Sequence, residues 1–270
     1  MSPCRSAAFA AALLALAACA PGVGPIAPQA PRIVFVGEVH DNPAHHETQA
    51  RMAREIAPAA IVFEMIPRAA EETLNRLRAE GAPRAALAEA LDWQHSGWPD
   101  FAQYAQIMEA APKARIYGAE IPREAARRAV KEGAAAVIGP EAATRFALAT
   151  PLPADQQKRR EALQMQAHCN ALPENLLPGM VEVQRLRDAA LADAALRALD
   201  ETGGPVLVIT GNGHARTDWA APFLLRRARS DLAVEAVGQI ESTAASDAPF
   251  DRVLQTDPVE RPDPCTAFSG

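Results

Sequence analysis

The chain is predicted to fold as an α/β domain, with a mostly parallel sheet flanked by helices and a helical insertion between strands three and four. Short apolar runs rich in β-branched residues recur along it, and helical patterns separate them. The runs lack polar alternation, the mark of strands covered on both faces.

Ile33-Val34-Phe35-Val36 is the first of these strands. Asn42 then stands as a helix N-cap with Pro43 at the first helical position, and the helix runs to about Ala57, where Pro58 stops it. Ala60-Ile61-Val62-Phe63 is the second strand. Helical periodicity covers about 69–91, interrupted near Gly81 and Pro83, and a further helix covers about 99–111. A third strand is expected over 114–119. The insertion, about 122–203, is helical in pattern, punctuated by prolines, and closed by Gly203-Gly204-Pro205. Val206-Leu207-Val208-Ile209 is the clearest strand, and two more are expected over 233–240 and 250–255.

A composition of 49% hydrophobic and 22% charged residues excludes a disordered chain. The net charge of −6 argues against a non-specific nucleic-acid binder, which needs a basic stripe. No C-x-x-C pair occurs among the four cysteines, so neither a zinc ribbon nor a thioredoxin-type motif is expected.

Residues 1–18 read as a lipoprotein signal peptide: Arg5 supplies the positive region, and the apolar stretch after it is too short to anchor across a bilayer. Leu16-Ala17-Ala18-Cys19 resembles the bacterial lipobox, in which Cys19 is acylated and becomes the new N-terminus. Ordinary secretion, with cleavage at an A-x-A-like site, is the other reading. Ala20 after the cysteine, where an aspartate would mark retention elsewhere, directs the expectation to a periplasm-facing lipoprotein of the outer membrane. Residues 19–31, with four prolines, form a tether, 32–256 the α/β domain, and 257–270 a proline-rich tail.

In open parallel sheets, ligands bind outside the carboxyl ends of the strands. Those ends read Gly37-Glu38-Val39-His40, then Glu64, then Glu120, then Gly211-Asn212-Gly213-His214. One acidic residue after a strand is a routine cap or turn, but four ionisable groups in the same relative position point to a shared polar site. A Gly-x-x-His follows strand one and recurs after strand four.

The run from Gly37 to His46, GEVHDNPAHH, resembles the opening signature of the ChaN-like family of haem-binding lipoproteins. That family belongs to the wider Tiki, TraB and erythromycin-esterase-like superfamily. Phe63-Glu64-Met65, Ile121-Pro122-Arg123-Glu124, Gln184-Arg185-Leu186-Arg187-Asp188-Ala189 and Gly211-Asn212-Gly213-His214 extend the resemblance in order along about 32–256. It implies a periplasm-facing lipoprotein that binds haem for uptake or handling of haem iron. It further implies dimers that enclose stacked haems, haem or iron transport components as partners, and tyrosine as iron ligand.

The chain has two tyrosines, Tyr104 and Tyr117. Phe101, Tyr104, Ala105 and Met108 share one helical face, so Tyr104 is either a core residue or a haem ligand, since a haem pocket is itself apolar. The family's pattern favours Tyr104 as ligand; Tyr117, inside a strand, reads as packing. His45 and His46 sit in the first turn of a helix, where the dipole keeps imidazole neutral and available to iron. His95 and His168 default to surface positions or to supporting a ligand from behind. Arg123 either clamps a haem propionate or pairs with a nearby glutamate.

The competing class is a metal-dependent hydrolase, protease- or esterase-like. There His40 and His214 would hold a divalent metal or act as bases, with Glu38, Glu64 and Glu120 as partners. Gly-x-Ser-x-Gly is absent, so no activated serine is expected.

With Cys4 removed and Cys19 acylated, Cys169 and Cys265 remain. In an oxidising compartment they form either a disulfide or two free thiols.

Overall fold

The computed structural model describes residues 32–241, 248–263 and 265–266. The expected leader, Cys19 and the tether lie outside them. Six strands, β1 (Ile33–Glu38), β2 (Ala60–Phe63), β3 (Arg115–Gly118), β4 (Val206–Gly211), β5 (Val234–Ile240) and β6 (Arg252–Gln255), form one sheet in the order β3-β2-β4-β1-β5-β6. Every pairing is parallel, where a mostly parallel sheet was expected.

Alternation of side chains along the strands divides the core into two layers. Ile33, Phe35, Ala60, Val62, Val206 and Val208 face one side; Val34, Val36, Ile61, Phe63, Leu207 and Ile209 face the other. The second face is covered by α1 (Pro43–Ile56), α2 (Glu71–Ala79), α3 (Arg84–Ala90) and α4 (Phe101–Ala110). The insertion supplies α5 (Arg123–Glu132), α6 (Ala134–Ile138), α7 (Pro140–Arg145), α8 (Ala154–Ala167) and α9 (Leu177–Thr202), and α10 (Ala221–Ala228) joins β4 to β5. Within it α9 forms the backbone of the first face, with α5, α6, α8 and α10 packed on it. Each fully buried Val, Ile, Leu or Phe contributes about 1.5–3 kcal/mol, and all six residues of both β1 and β4 are buried.

Local chemistry explains the helix ends. Asn42 caps α1 by accepting from the Ala44 N–H at 3.0 Å, with Pro43 just inside. Asp100 caps α4 in the same way through Ala102. Gly203, at φ 79°, ends α9 in the left-handed conformation that glycine adopts without strain.

This topology fixes where a ligand can bind. The chain winds from β1 through β2 to β3 in one direction, then restarts at β4 and winds through β5 to β6 in the other. The reversal falls between β1 and β4, where Glu38 lies opposite Gly211, and a crevice opens beyond their carboxyl ends. No helix among the described residues is long and apolar enough to cross a membrane.

A tail segment crosses the same edge of the sheet. Arg261 donates to both Asp41 and Glu241, Asn42 Nδ2 donates to Glu241 and to the Asp257 carbonyl, and Cys265 is disulfide-bonded to Cys169 after α8. Of the two readings left open for this pair, the structure has the disulfide.

Candidate functional site

The crevice is a cavity of about 540 Å³, within the range of roughly 300–1,000 Å³ typical of small-molecule sites. Its floor is made by Glu38, His40, Glu64 and Gly211 to His214; its walls are Trp98, Glu120, Arg123 and Arg187. All the strand-end groups anticipated from the sequence therefore meet in one place.

Glu38 is the hub. Its Oε1 accepts from His40 Nδ1–H at 2.7 Å and from the Tyr104 hydroxyl at 3.0 Å, while Oε2 accepts from Gln49 Nε2 at 2.6 Å. His40 also meets the edge of Trp98, with ring centroids 4.9 Å apart, and its imidazole is one-third exposed. Gly211 makes room for that ring: a Cβ there would lie 2.9 Å from His40 Nε2. Gly37 likewise lets Asn212 Oδ1 lie where a Cβ would meet it at 2.4 Å. Both glycines are present because of close approach, not because of backbone handedness.

A second dyad comes from the insertion. His214 Nδ1–H donates to Asp188 Oδ1 at 2.7 Å, and its Nε2 lies 3.7 Å from Glu64 Oε1. Glu64 Oε2 accepts from Thr210 Oγ1 at 2.7 Å and from the Gly211 N–H at 2.8 Å. Each cavity histidine thus has its Nδ1 tied to a buried carboxylate, which fixes the ring and its tautomer.

The ionisation balance follows from these contacts. Burial opposes the charged imidazoles of His40 and His214, but their carboxylate partners outweigh it and both pKa values rise. Burial opposes ionisation of Glu64 too, yet the two histidines and its hydrogen bonds bring its pKa below the ordinary value. Glu120 goes the other way: burial raises its pKa, and Arg123 only partly offsets this. Among the described residues, neither Arg123 nor Arg187 forms an ion pair or a side-chain hydrogen bond, so of the two expectations for Arg123 the pairing with glutamate is not found.

Three residues expected to hold haem do not line this cavity. Tyr104 is fully buried beneath it, its phenol engaged with Glu38, and burial and the Glu38 charge drive its pKa far upward. His45 accepts the Val39 N–H on Nδ1 and faces Thr256 Oγ1 with Nε2 at 2.8 Å; burial lowers its pKa. His46 donates Nε2–H to the His40 carbonyl at 2.8 Å and stacks edge-on against Tyr104. Both histidines brace the turn that carries His40. Tyr117 packs as expected, its hydroxyl on Glu201 and its pKa pushed up by burial to about 12. His95 is exposed beside Asp92, and His168 bonds the Gln164 carbonyl.

Asp188, Arg187 and Trp98 were given no role from the sequence. The signal for Asp188 was available: Val181, Asp188, Ala192 and Ala195 share the buried stripe of α9, where a lone carboxylate needs a partner.

Among the described residues, no group of three or more His, Cys, Asp or Glu side chains is arranged to hold a metal ion. His40, His214 and Glu64 share the cavity, with Nδ1 of each histidine held by a carboxylate and His214 Nε2 3.7 Å from Glu64. The divalent-metal reading therefore lacks a preformed site. The lining is compatible with haem: His40 could supply an imidazole to iron, Trp98 an indole face, and Arg123 and Arg187 guanidinium groups to propionates.

Fold and site together define a doubly wound α/β protein with a carboxylate-braced histidine pocket at its switch point. A family model described as haem-binding uptake, Tiki superfamily, ChaN matches residues 28–225, and the chain belongs to this family. Among solved structures it is similar to ChaN of Campylobacter jejuni, described with cofacial haem binding, at 18% identity and TM-score 0.59, with 83% of this chain and 86% of that chain covered. That likeness carries the fold. The type III effector HopBA1 is more distant, at 13% identity and TM-score 0.44 over 84% of this chain and 88% of that one. An erythromycin esterase, EreC, stands at 11% and 0.38 over 82% and 74%. No curated protein matches the sequence.

Proposed function

We propose that this protein binds haem in the switch-point cavity, as a haem-handling lipoprotein, with His40 rather than Tyr104 as the iron ligand. The observation that carries the ligand assignment is exposure: His40 reaches the cavity, whereas the Tyr104 oxygen is buried and held by Glu38. The hydrogen bond from His40 Nδ1–H to Glu38 orients the ring and raises its basicity, as carboxylate partners of metal-bound histidines do. Arg123 and Arg187 hold the propionates and Trp98 lies against the porphyrin. Bound haem brings an iron whose open coordination is completed by protein side chains.

The same proposal has Cys19 acylated and the domain tethered to the outer membrane, facing the periplasm. The lipobox supports this, and a disulfide between Cys169 and Cys265 suits an oxidising compartment. Pairing of two copies around stacked haems is proposed by analogy with the cofacial binding in the Campylobacter relative, and delivery to haem or iron transport components follows from the family's uptake role.

Titration of the apo-protein with haemin tests the binding. A saturable Soret band is expected, weakened at least tenfold by Arg123→Ala combined with Arg187→Ala. Haemin binding that is unaltered in this double variant would place haem elsewhere. For the anchor, Cys19→Ser is expected to leave an unprocessed precursor.

A further inference from the structure

Adjoining the larger cavity at Gly213 and His214, α8 and α9 leave a second cleft of about 240 Å³. Arg160 of α8 lines it, and its surroundings are unusual for an arginine. The residue is 93% buried, at 7% exposure, yet among the described residues no carboxylate lies within ion-pair distance of its guanidinium. It donates to the Gln156 side chain at 3.1 Å and to the Trp219 carbonyl at 3.3 Å, and lies 5.3 Å from the Trp219 ring centre. Its Nε–H has no acceptor. Burial lowers its pKa, and the more distant charges of Asp188 and Asp218 offset this only in part. Buried charges are ordinarily paired, and a cation–π contact offsets only part of the desolvation.

A second polar atom on the same cleft is also unsatisfied: Gln164 Oε1 is buried with no donor. Arg216 lies 3.9 Å above the Trp219 ring, with its guanidinium paired to Asp218. Asp188, the acidic group on the inner wall, is already matched by His214. Apart from Gln184, the rest of the wall is largely apolar, from Leu163, Ala167, Val181 and the Trp219 face.

We infer that the α8–α9 cleft is a binding site for a small organic carboxylate, its anionic end on Arg160 and its apolar body between Leu163, Val181 and Trp219. Nη2 is spent on Gln156 and Trp219, so a carboxylate would accept from Nη1, for which no hydrogen bond is found among the described residues, and the apolar wall favours an organic acid over inorganic phosphate. Gln164 Oε1 provides an acceptor for a hydroxyl or amino group on the ligand. The cleft shares Gly213 and His214 with the larger cavity, but its ligand reading does not depend on what that cavity binds.

Benzoate serves as the probe. In calorimetric titration of the full domain, benzoate is expected to bind with one-to-one stoichiometry and a Kd in the millimolar range or tighter. Inorganic phosphate should bind at least tenfold more weakly, and Arg160→Met should weaken benzoate at least tenfold. Leu163→Trp, which fills the cleft from its exposed rim and leaves Arg160 in place, should also abolish benzoate binding, and it decides the matter if Arg160→Met fails to fold. Absence of binding to wild-type protein, equal affinity for phosphate, or unchanged benzoate affinity in either folded variant overturns the proposal.

Discussion

The Tyr104 hydroxyl donates to Glu38 Oε1 at 3.0 Å, the same oxygen that receives His40 Nδ1–H. Helix α4 is thereby wired into the strand-end site. Tyr104→Phe keeps the ring and its packing and removes one hydrogen bond to a charged group, worth roughly 1.5–3 kcal/mol. Chemical denaturation should show that loss as a lower midpoint with an unchanged slope.

His214→Ala leaves Asp188 as a buried carboxylate with its main partner gone, which costs about 3–5 kcal/mol. Adding Asp188→Ala should recover part of that loss, because both ends of the contact are then removed. A double variant no more stable than the sum of the two single losses would mean that the pair is not coupled.

Acid should release the tail. The guanidinium of Arg261 and the amide of Asn42 hold the Glu241 carboxyl down at about 2. A carboxylate with a depressed folded pKa contributes stability that is complete above its ordinary value and is lost as pH falls toward the folded one. Wild-type stability should therefore decline between about pH 4.5 and pH 2 more steeply than that of Arg261→Ala, measured by unfolding at each pH. Parallel profiles would remove Arg261 as the cause.

The disulfide closes a span of 96 residues between Cys169 and Cys265. On the chain-entropy model, a loop of that size stabilises by roughly 4–5 kcal/mol. The mature protein, denatured without reductant, should titrate no free thiol from this pair, and Cys169→Ser should lower the melting temperature by several degrees.

Much of the fold could be read from residues because local signals agreed with the tertiary outcome. Continuous β-branched runs marked β1, β2 and β4, and Asn42-Pro43 marked the start of α1. The strand-end rule gathered Glu38, His40, Glu64 and His214 into one cavity. What sequence could not resolve was which way a side chain points from a helix packed on the sheet. Tyr104, His45 and His46 have the chemistry of iron ligands, but the packing of α1 against α4 turns them inward. Arg187 and Asp188 are neighbours on α9, yet one lines the cavity while the other turns under His214. That distinction depends on the rotation of a helix fixed by contacts far away in sequence.

If His40 meets the iron, spectra of the haemin complex in three proteins will show it. Wild type and Tyr104→Phe are expected to give the same Soret maximum and visible bands, while His40→Ala shifts them and weakens haem binding at least tenfold. Loss of a phenolate charge-transfer band in Tyr104→Phe, with the spectrum of His40→Ala unchanged, would contradict the assignment and return the iron to Tyr104.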